Sequence, residues 1–200
     1  MAIIPVDDLS NNACEAVAKI IQGTLALPHP YGRLQYGRDL ELHFRTLIGT
    51  GRNPNIAAAI VIGIEPNWAK RIADGIAETG KPVAYLGIEG HGLLQTIEIA
   101  ARKAKEFVQY VTAQEKITAE IKDLTISFKC GESDTTSGLG GNPTAGRVGE
   151  RLVAMGGTVI FGETSETTGA EHILARHFAT RELGEKYLAT HRNYLQLIEN

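Results

Sequence analysis

Cysteine and long apolar runs are both scarce in this sequence, and each scarcity removes a class of protein. Only two cysteines, Cys14 and Cys130, occur in 200 residues, so at most one disulfide can form and a disulfide-stapled scaffold is excluded. No apolar stretch reaches the roughly 18 residues that suggest a membrane span, and no leader peptide is visible ahead of the first apolar run. A reducing, cytoplasmic setting is therefore expected. Neither charge sign dominates, since 20 Lys and Arg against 23 Asp and Glu leave a formal net charge of −3. The basic residues are scattered, which argues against nucleic acid or an anionic membrane as partner. The Gly-Lys-Ser/Thr of a phosphate loop and the fixed glycine spacing of a dinucleotide fingerprint are also missing, which excludes the common nucleotide motifs.

The remaining composition is that of a globular chain, 43% hydrophobic and 22% charged. Short apolar runs alternate with segments of helical period, the pattern of βαβ units. Strands are predicted at 3–6, 24–27, 58–64, 82–88, 124–129 and 158–162. Helices are predicted at 10–22, with Ser10 as cap, and at 39–49. A third is built on Trp68, Ile72 and Ile76, and a fourth on Leu94, Ile97, Ala101, Ala104, Val108 and Val111. Asn142-Pro143 reads as the start of a fifth, and a last helical region spans 171–198. The fold class expected is α/β, a three-layer αβα sandwich with a mainly parallel, Rossmann-like or flavodoxin-like sheet. Residues 1–170 would form one α/β domain, with 171–200 as a C-terminal helical extension packed on it. Right-handed crossovers would then bring every strand-to-helix loop to the carboxyl edge of the sheet.

Two of those loops are rich in polar chemistry. The run from Lys129 to Pro143 contains Glu132, Ser133, Asp134, Thr135, Thr136 and Ser137 and leads into a helix, a favourable place for an anion. The alternative is a solvated crossover loop. The run from Glu163 to His172 holds Glu163, Glu166, Glu171 and His172, groups that bind a hard cation or exchange protons. Helix capping is the alternative, preferred for Glu171 and not for Glu163. His29 and Arg33 offer a metal ligand and a carboxylate clamp, while Glu65, Glu89 and His91 are weaker candidates. His91, His177 and His191 read as structural. Cys130 is a nucleophile or metal ligand or a small packing residue, and Cys14, on an apolar helix face, is core.

At Lys129-Cys130-Gly131-Glu132-Ser133-Asp134, Asn142-Pro143 and Gly162-Glu163-Thr164 through Glu171-His172, the sequence resembles the altronate/galactarate dehydratase family. The run Pro28-His29-Pro30-Tyr31-Gly32-Arg33 and the stretch from Leu40 to Gly49 are most similar to its sulfo-lyase branch, and the resemblance covers nearly the whole chain. Dehydratase members tend to carry cysteines where this sequence has Arg33 and Glu65, so only Cys130 keeps a family cysteine. Arg33 in that place favours a substrate with an extra anionic group. The resemblance implies abstraction of a proton α to a carboxylate and loss of a β leaving group, hydroxide in the dehydratases and sulfite in the sulfo-lyases. It further implies a divalent metal cofactor, iron(II) first, with His29, Cys130 and Glu166 as ligands. Asp134, Glu163, Glu132 and His172 would be catalytic, and Arg33, Ser133, Thr135, Thr136 and Ser137 would bind a small anionic substrate. The partners implied are a missing C-terminal half or a small partner subunit, with a homo-oligomer as a further form.

Overall fold

Ile3 and Ile4 each need apolar company on a different side, because successive strand residues point to opposite faces. In the computed structural model, which describes residues 1–199, β1 (Ala2–Pro5) finds both from inside a four-stranded parallel sheet. Its order is β2-β1-β3-β4, where β2 is Leu25–Ala26, β3 Ala59–Gly63 and β4 Val83–Gly87. The register sets Ile3 beside Ile60 and Ile4 beside Val61. Ile3, Ile60 and Ile62 pack on α1 (Asn11–Ile20) and α4 (Leu93–Thr112) through Cys14, Val17, Ala100 and Ala104. On the other face Ile4 and Val61 pack on α2 (Gly37–Arg52) and α3 (Pro66–Ala77) through Phe44, Leu47, Ile72 and Ile76. This is the expected αβα sandwich, and burial on both faces explains why β3 reads as an unbroken apolar run. Each isoleucine so buried contributes about 1.5–3 kcal/mol.

The chain divides into two compact units, residues 1–116 and the part from Ile117 onward. β5 (Thr125–Phe128) and β6 (Thr158–Phe161) do not extend the first sheet but pair in parallel with each other. The division therefore falls in the exposed stretch after α4, and not at residue 170 as the sequence suggested. Apolar runs identify strands but carry no record of which strands they join. Helix α5 (Asn142–Ala154) links β5 to β6, and Gly149 lets it lie close, since a Cβ there would sit 3.0 Å from Phe128 Cε2.

Three local expectations are corrected. Asp7, not Ser10, caps the first helical turn: its Oδ1 accepts from both the backbone N–H and the hydroxyl of Ser10 at 3.0 Å. The helical path into α5 begins at Thr135 and runs through a wide turn at Ser137–Gly141, so Asn142 is inside the helix and Asp134 caps its start. The last region breaks into α6 (Glu171–Leu174), a short 3-10 turn and α7 (Arg181–Glu199), because Thr180 Oγ1 accepts from the N–H of Leu183 and starts a new helix. Among the described residues no helix is long and apolar enough to cross a membrane.

Candidate functional site

In the first unit β1 leads outward to β2 on one side and to β3 on the other, so strand order reverses between β1 and β3. The crevice beyond their carboxyl ends is where open α/β sheets bind ligands. Asp7, at 5% exposure, closes its floor: besides Ser10 it accepts from the N–H of Ile64 at 3.0 Å, tying the end of β1 to the end of β3. Asp8 takes the guanidinium of Arg33 in a two-pronged grip, Nε to Oδ1 at 2.5 Å and Nη2 to Oδ2 at 2.8 Å. The Arg33 guanidinium holds the Asp8 carboxyl below the ordinary carboxylate range, and Asp8 raises Arg33 in return. His29 Nε2 donates to the carbonyl of Pro5 at 2.9 Å, while its Nδ1 accepts from the N–H of Tyr31 at 3.3 Å. Both ring nitrogens thus face backbone partners. His43, from α2, reaches the carbonyl of Val6 at 2.7 Å, and its ring centroid lies 5.4 Å from that of His29. Gly32 is required here: at φ +110° a Cβ would lie 2.4 Å from the Val6 carbonyl oxygen. Glu65 caps α3, accepting from the N–H groups of Asn67 and Trp68 at 2.9 and 2.8 Å.

In the second unit the loops after β5 and β6 meet at the carboxyl edge of that pair. An open cleft of about 610 Å³ there is lined by Cys130, Glu132, Ser133, Thr135, Ser137 and Glu166, with Asp134 and Asn142 beside them. A neighbouring hollow of about 320 Å³ shares Cys130, Asn142 and Glu166 and adds Lys129 and Glu163. The structure therefore gathers most of the residues singled out in the two loops. Glu163 stands at φ +60°, the one non-glycine residue at positive φ among those described. Such a conformation costs about 1–3 kcal/mol and persists where surrounding structure enforces it, a pattern found at functional sites. Its carboxylate pairs with Lys129, whose ammonium is raised by that bond and also donates to the carbonyl of Cys130 at 3.2 Å. Asp134 Oδ1 accepts from the Thr136 hydroxyl at 2.6 Å and the Ser137 N–H at 2.7 Å, and both bonds lower its carboxyl pKa. The helix end expected to attract an external anion is thus capped by Asp134 itself. The Cys130 thiol points at the carbonyl of Glu132, 3.4 Å away. His172 lines a different hollow, together with Arg176 and Arg181.

Sequence reasoning passed over Asp7, Asp8, His43 and Lys129. Two aspartates immediately after the first strand were the available signal for the first pair, and a lysine one place before Cys130 for the last. Among the described residues, neither unit by itself gathers three His, Cys, Asp or Glu side chains that could hold a metal ion.

Residues 1–112 match the family model "D-galactarate dehydratase/Altronate hydrolase, second domain", and residues 121–200 match "D-galactarate/Altronate dehydratase, C-terminal". The (2R)-sulfolactate sulfo-lyase subunit beta of Chromohalobacter salexigens is 55% identical over 197 residues, 98% of this chain and 51% of that protein. Altronate dehydratase of Bacillus subtilis is 32% identical over 165 residues, 81% of this chain and 33% of the relative. Galactarate dehydratase (L-threo-forming) of Escherichia coli is 27% identical over 166 residues, 76% of this chain and 32% of its own length. The chain spans about half the length of the first of these relatives and about a third of the others. The boundary between the two family models falls in the same stretch that separates the two compact units, and the chain belongs to the D-galactarate/altronate dehydratase family.

Proposed function

We propose that the chain forms part of a lyase that eliminates sulfite from (2R)-3-sulfolactate to leave pyruvate. The observation that carries the reading is 55% identity, over 98% of the chain, to a sulfo-lyase subunit. The second unit offers chemistry of the right kind in a cleft and the hollow adjoining it, with hydroxyls of Ser133, Thr135 and Ser137 in the first for an anionic head group and the Glu163 carboxylate beside the Lys129 ammonium in the second.

In this reading Glu163 takes the proton from the carbon α to the carboxylate, and the electron pair of that C–H bond forms the carbon–carbon double bond. The bond from the β carbon to sulfur breaks with its electrons, releasing sulfite. The enol left behind moves a proton from its hydroxyl to the β carbon and becomes pyruvate. Lys129 stabilises the negative charge that builds on the carboxylate side during proton removal. Glu132 and Glu166 border the same cleft as proton carriers, and Asp134 holds the hydroxyl-bearing turn in shape. Arg33, in the first unit, would bind an anionic group only by giving up its Asp8 carboxylate. His172, in its separate hollow, takes no part in these steps. Iron(II) belongs to the proposal as a cofactor, and no step is routed through it, since among the described residues neither unit by itself gathers three His, Cys, Asp or Glu side chains. Its remaining ligands, like the rest of the activity, would come from a partner subunit or from the portion of the relatives that this chain does not match.

The test supplies the chain, alone and combined with the unmatched part of the Chromohalobacter subunit, with iron(II) under anaerobic conditions. 3-Sulfolactate, altronate and galactarate are run in parallel. Release of sulfite and pyruvate is expected. A 2-keto-3-deoxy product from altronate or galactarate alone would establish the second reading, a sugar-acid dehydratase, which the Bacillus and Escherichia relatives support at lower identity.

A further inference from the structure

The turn that presents Glu163 and Glu166 is closed by two threonines that follow directly. Thr167 Oγ1 donates to the carbonyl of Thr164 at 2.5 Å, and Thr168 Oγ1 donates to that of Ser165 at 2.6 Å. A hydroxyl has a single proton, so each oxygen meets its second partner as an acceptor. Those partners both come from α7: the Tyr187 hydroxyl donates to Thr167, and His191 Nε2–H donates to Thr168 across 3.2 Å. Tyr187 and His191 are four residues apart and share one helix face. Gly184 lies on it too, and its bare Cα lets α7 sit against the carbonyl oxygen of Ala175, which a Cβ would approach to 2.4 Å. At 8% and 2% exposure, Tyr187 and His191 are buried, while most of the polar residues they serve stand near the surface. The Tyr187 ring also stacks on Phe178, with centroids 5.2 Å apart.

We propose that Tyr187 and His191 are positioning residues: from beneath, α7 locks the turn after β6 and thereby fixes Glu163 and Glu166 toward the anionic substrate. The proposal rests on the functional reading given above. It also accounts for the left-handed backbone of Glu163, which a free surface turn would relax. The carbonyl of Glu163 accepts from the N–H of Glu166 at 2.9 Å, and the carbonyl of Ser165 from the N–H of Thr168 at 3.1 Å, so the two amides report directly on the lock.

Amide exchange of the 200-residue chain and calorimetric titration with 3-sulfolactate test it together. Tyr187→Phe keeps the stacked ring and removes only the donor; His191→Leu removes the other donor, and His191→Gln restores an N–H. Exchange at Glu166 and Thr168 is expected to quicken about five-fold in Tyr187→Phe and His191→Leu, the size of one lost hydrogen bond. Affinity for sulfolactate should fall by a similar factor, exchange at Ile126 and Val159 in the two strands should not change, and His191→Gln should recover both readings. Thr168→Val, which removes the exposed acceptor, gives the same reading if a buried variant fails to fold. Unchanged exchange at the turn, or uniform acceleration across the second unit, would overturn the lock. Faster exchange with full affinity would overturn its role toward substrate. Absence of sulfolactate binding by the unaltered chain would overturn the cleft of the second unit as a substrate site in this chain by itself, and the exchange readings would still decide whether the lock exists.

Discussion

A carboxylate kept in left-handed backbone and set against a lysine is costly to maintain, and Glu163 is the residue where chemistry and strain coincide. If it is the proton acceptor, Glu163→Gln should lower the rate of sulfite release by about 10²-fold or more, the usual scale for a general base, with the melting temperature nearly unchanged. A variant that keeps full turnover would remove Glu163 from the mechanism. Asp134 has a different role that pH can read. Its carboxyl is lowered in the folded chain, from an ordinary value of 3.8, by Thr136 and Ser137. It therefore contributes stability that is present above the unfolded pKa and lost as pH falls through the lowered folded one. Exchange of the Ser137 amide should accelerate on acidification through that window. Asp134→Asn, which still accepts a bond, should keep most of the protection at neutral pH and lose the acid response. Acid-independent exchange in the unaltered chain would mean that this cap does not hold the helix start.

Helices α2 and α3 approach through a reciprocal pair of glycines. A Cβ on Gly51 would lie 2.3 Å from Ile76 Cδ1, and one on Gly75 would lie 2.7 Å from Ile48 Cδ1, whereas Gly49, one turn face away, meets nothing within 4 Å. Gly51→Ala should thus cost about 1–3 kcal/mol through overpacking, while Gly49→Ala in the same helix should add about 0.5–1 kcal/mol. Urea unfolding of the two variants compares them, and equal effects would show that α2 and α3 do not pack this closely. The strands and helices themselves were readable because their signals are local: Ile3-Ile4 and the run around Ile60 mark strands, and Trp68, Ile72 and Ile76 mark one helix face. What escaped was relational. Nothing in the β5 sequence says that it joins β6 and no strand of the first sheet, and Thr180 differs little from other threonines until its hydroxyl caps α7. At the site the loops were legible by composition. The occupation of His29 by backbone, of Arg33 by Asp8 and of the helix start by Asp134 was not, since each depends on a residue brought in by folding.

The molecule as a whole is two α/β units of unequal burial. Residues of β1 and β3 such as Ile3, Ile4, Ile60 and Val61 are fully buried, whereas Ile160 and Phe161 of β6 are 54% and 57% exposed. Backbone bonds that water reaches easily open at lower free energy. Amides of β1 and β3 should therefore outlast those of β5 and β6 in exchange. The stretch 113–120 joining the units is exposed, lies between the end of α4 and a short 3-10 turn, and contains Lys116 next to Ile117. Most other lysines and arginines sit in helices, and Arg33 is held by Asp8. Brief trypsin treatment should accordingly cut first after Lys116 and leave two fragments, 1–116 and 117–200, that mass spectrometry can separate. If each family domain is a folding unit, the first fragment should keep its helical circular dichroism and its own melting transition, because its sandwich is closed on both faces without help from the second. First cleavage within α2, α3 or α4, or collapse of the first fragment on release, would instead show that its core depends on the rest of the chain. The reaction would then have to be understood as the property of one inseparable body.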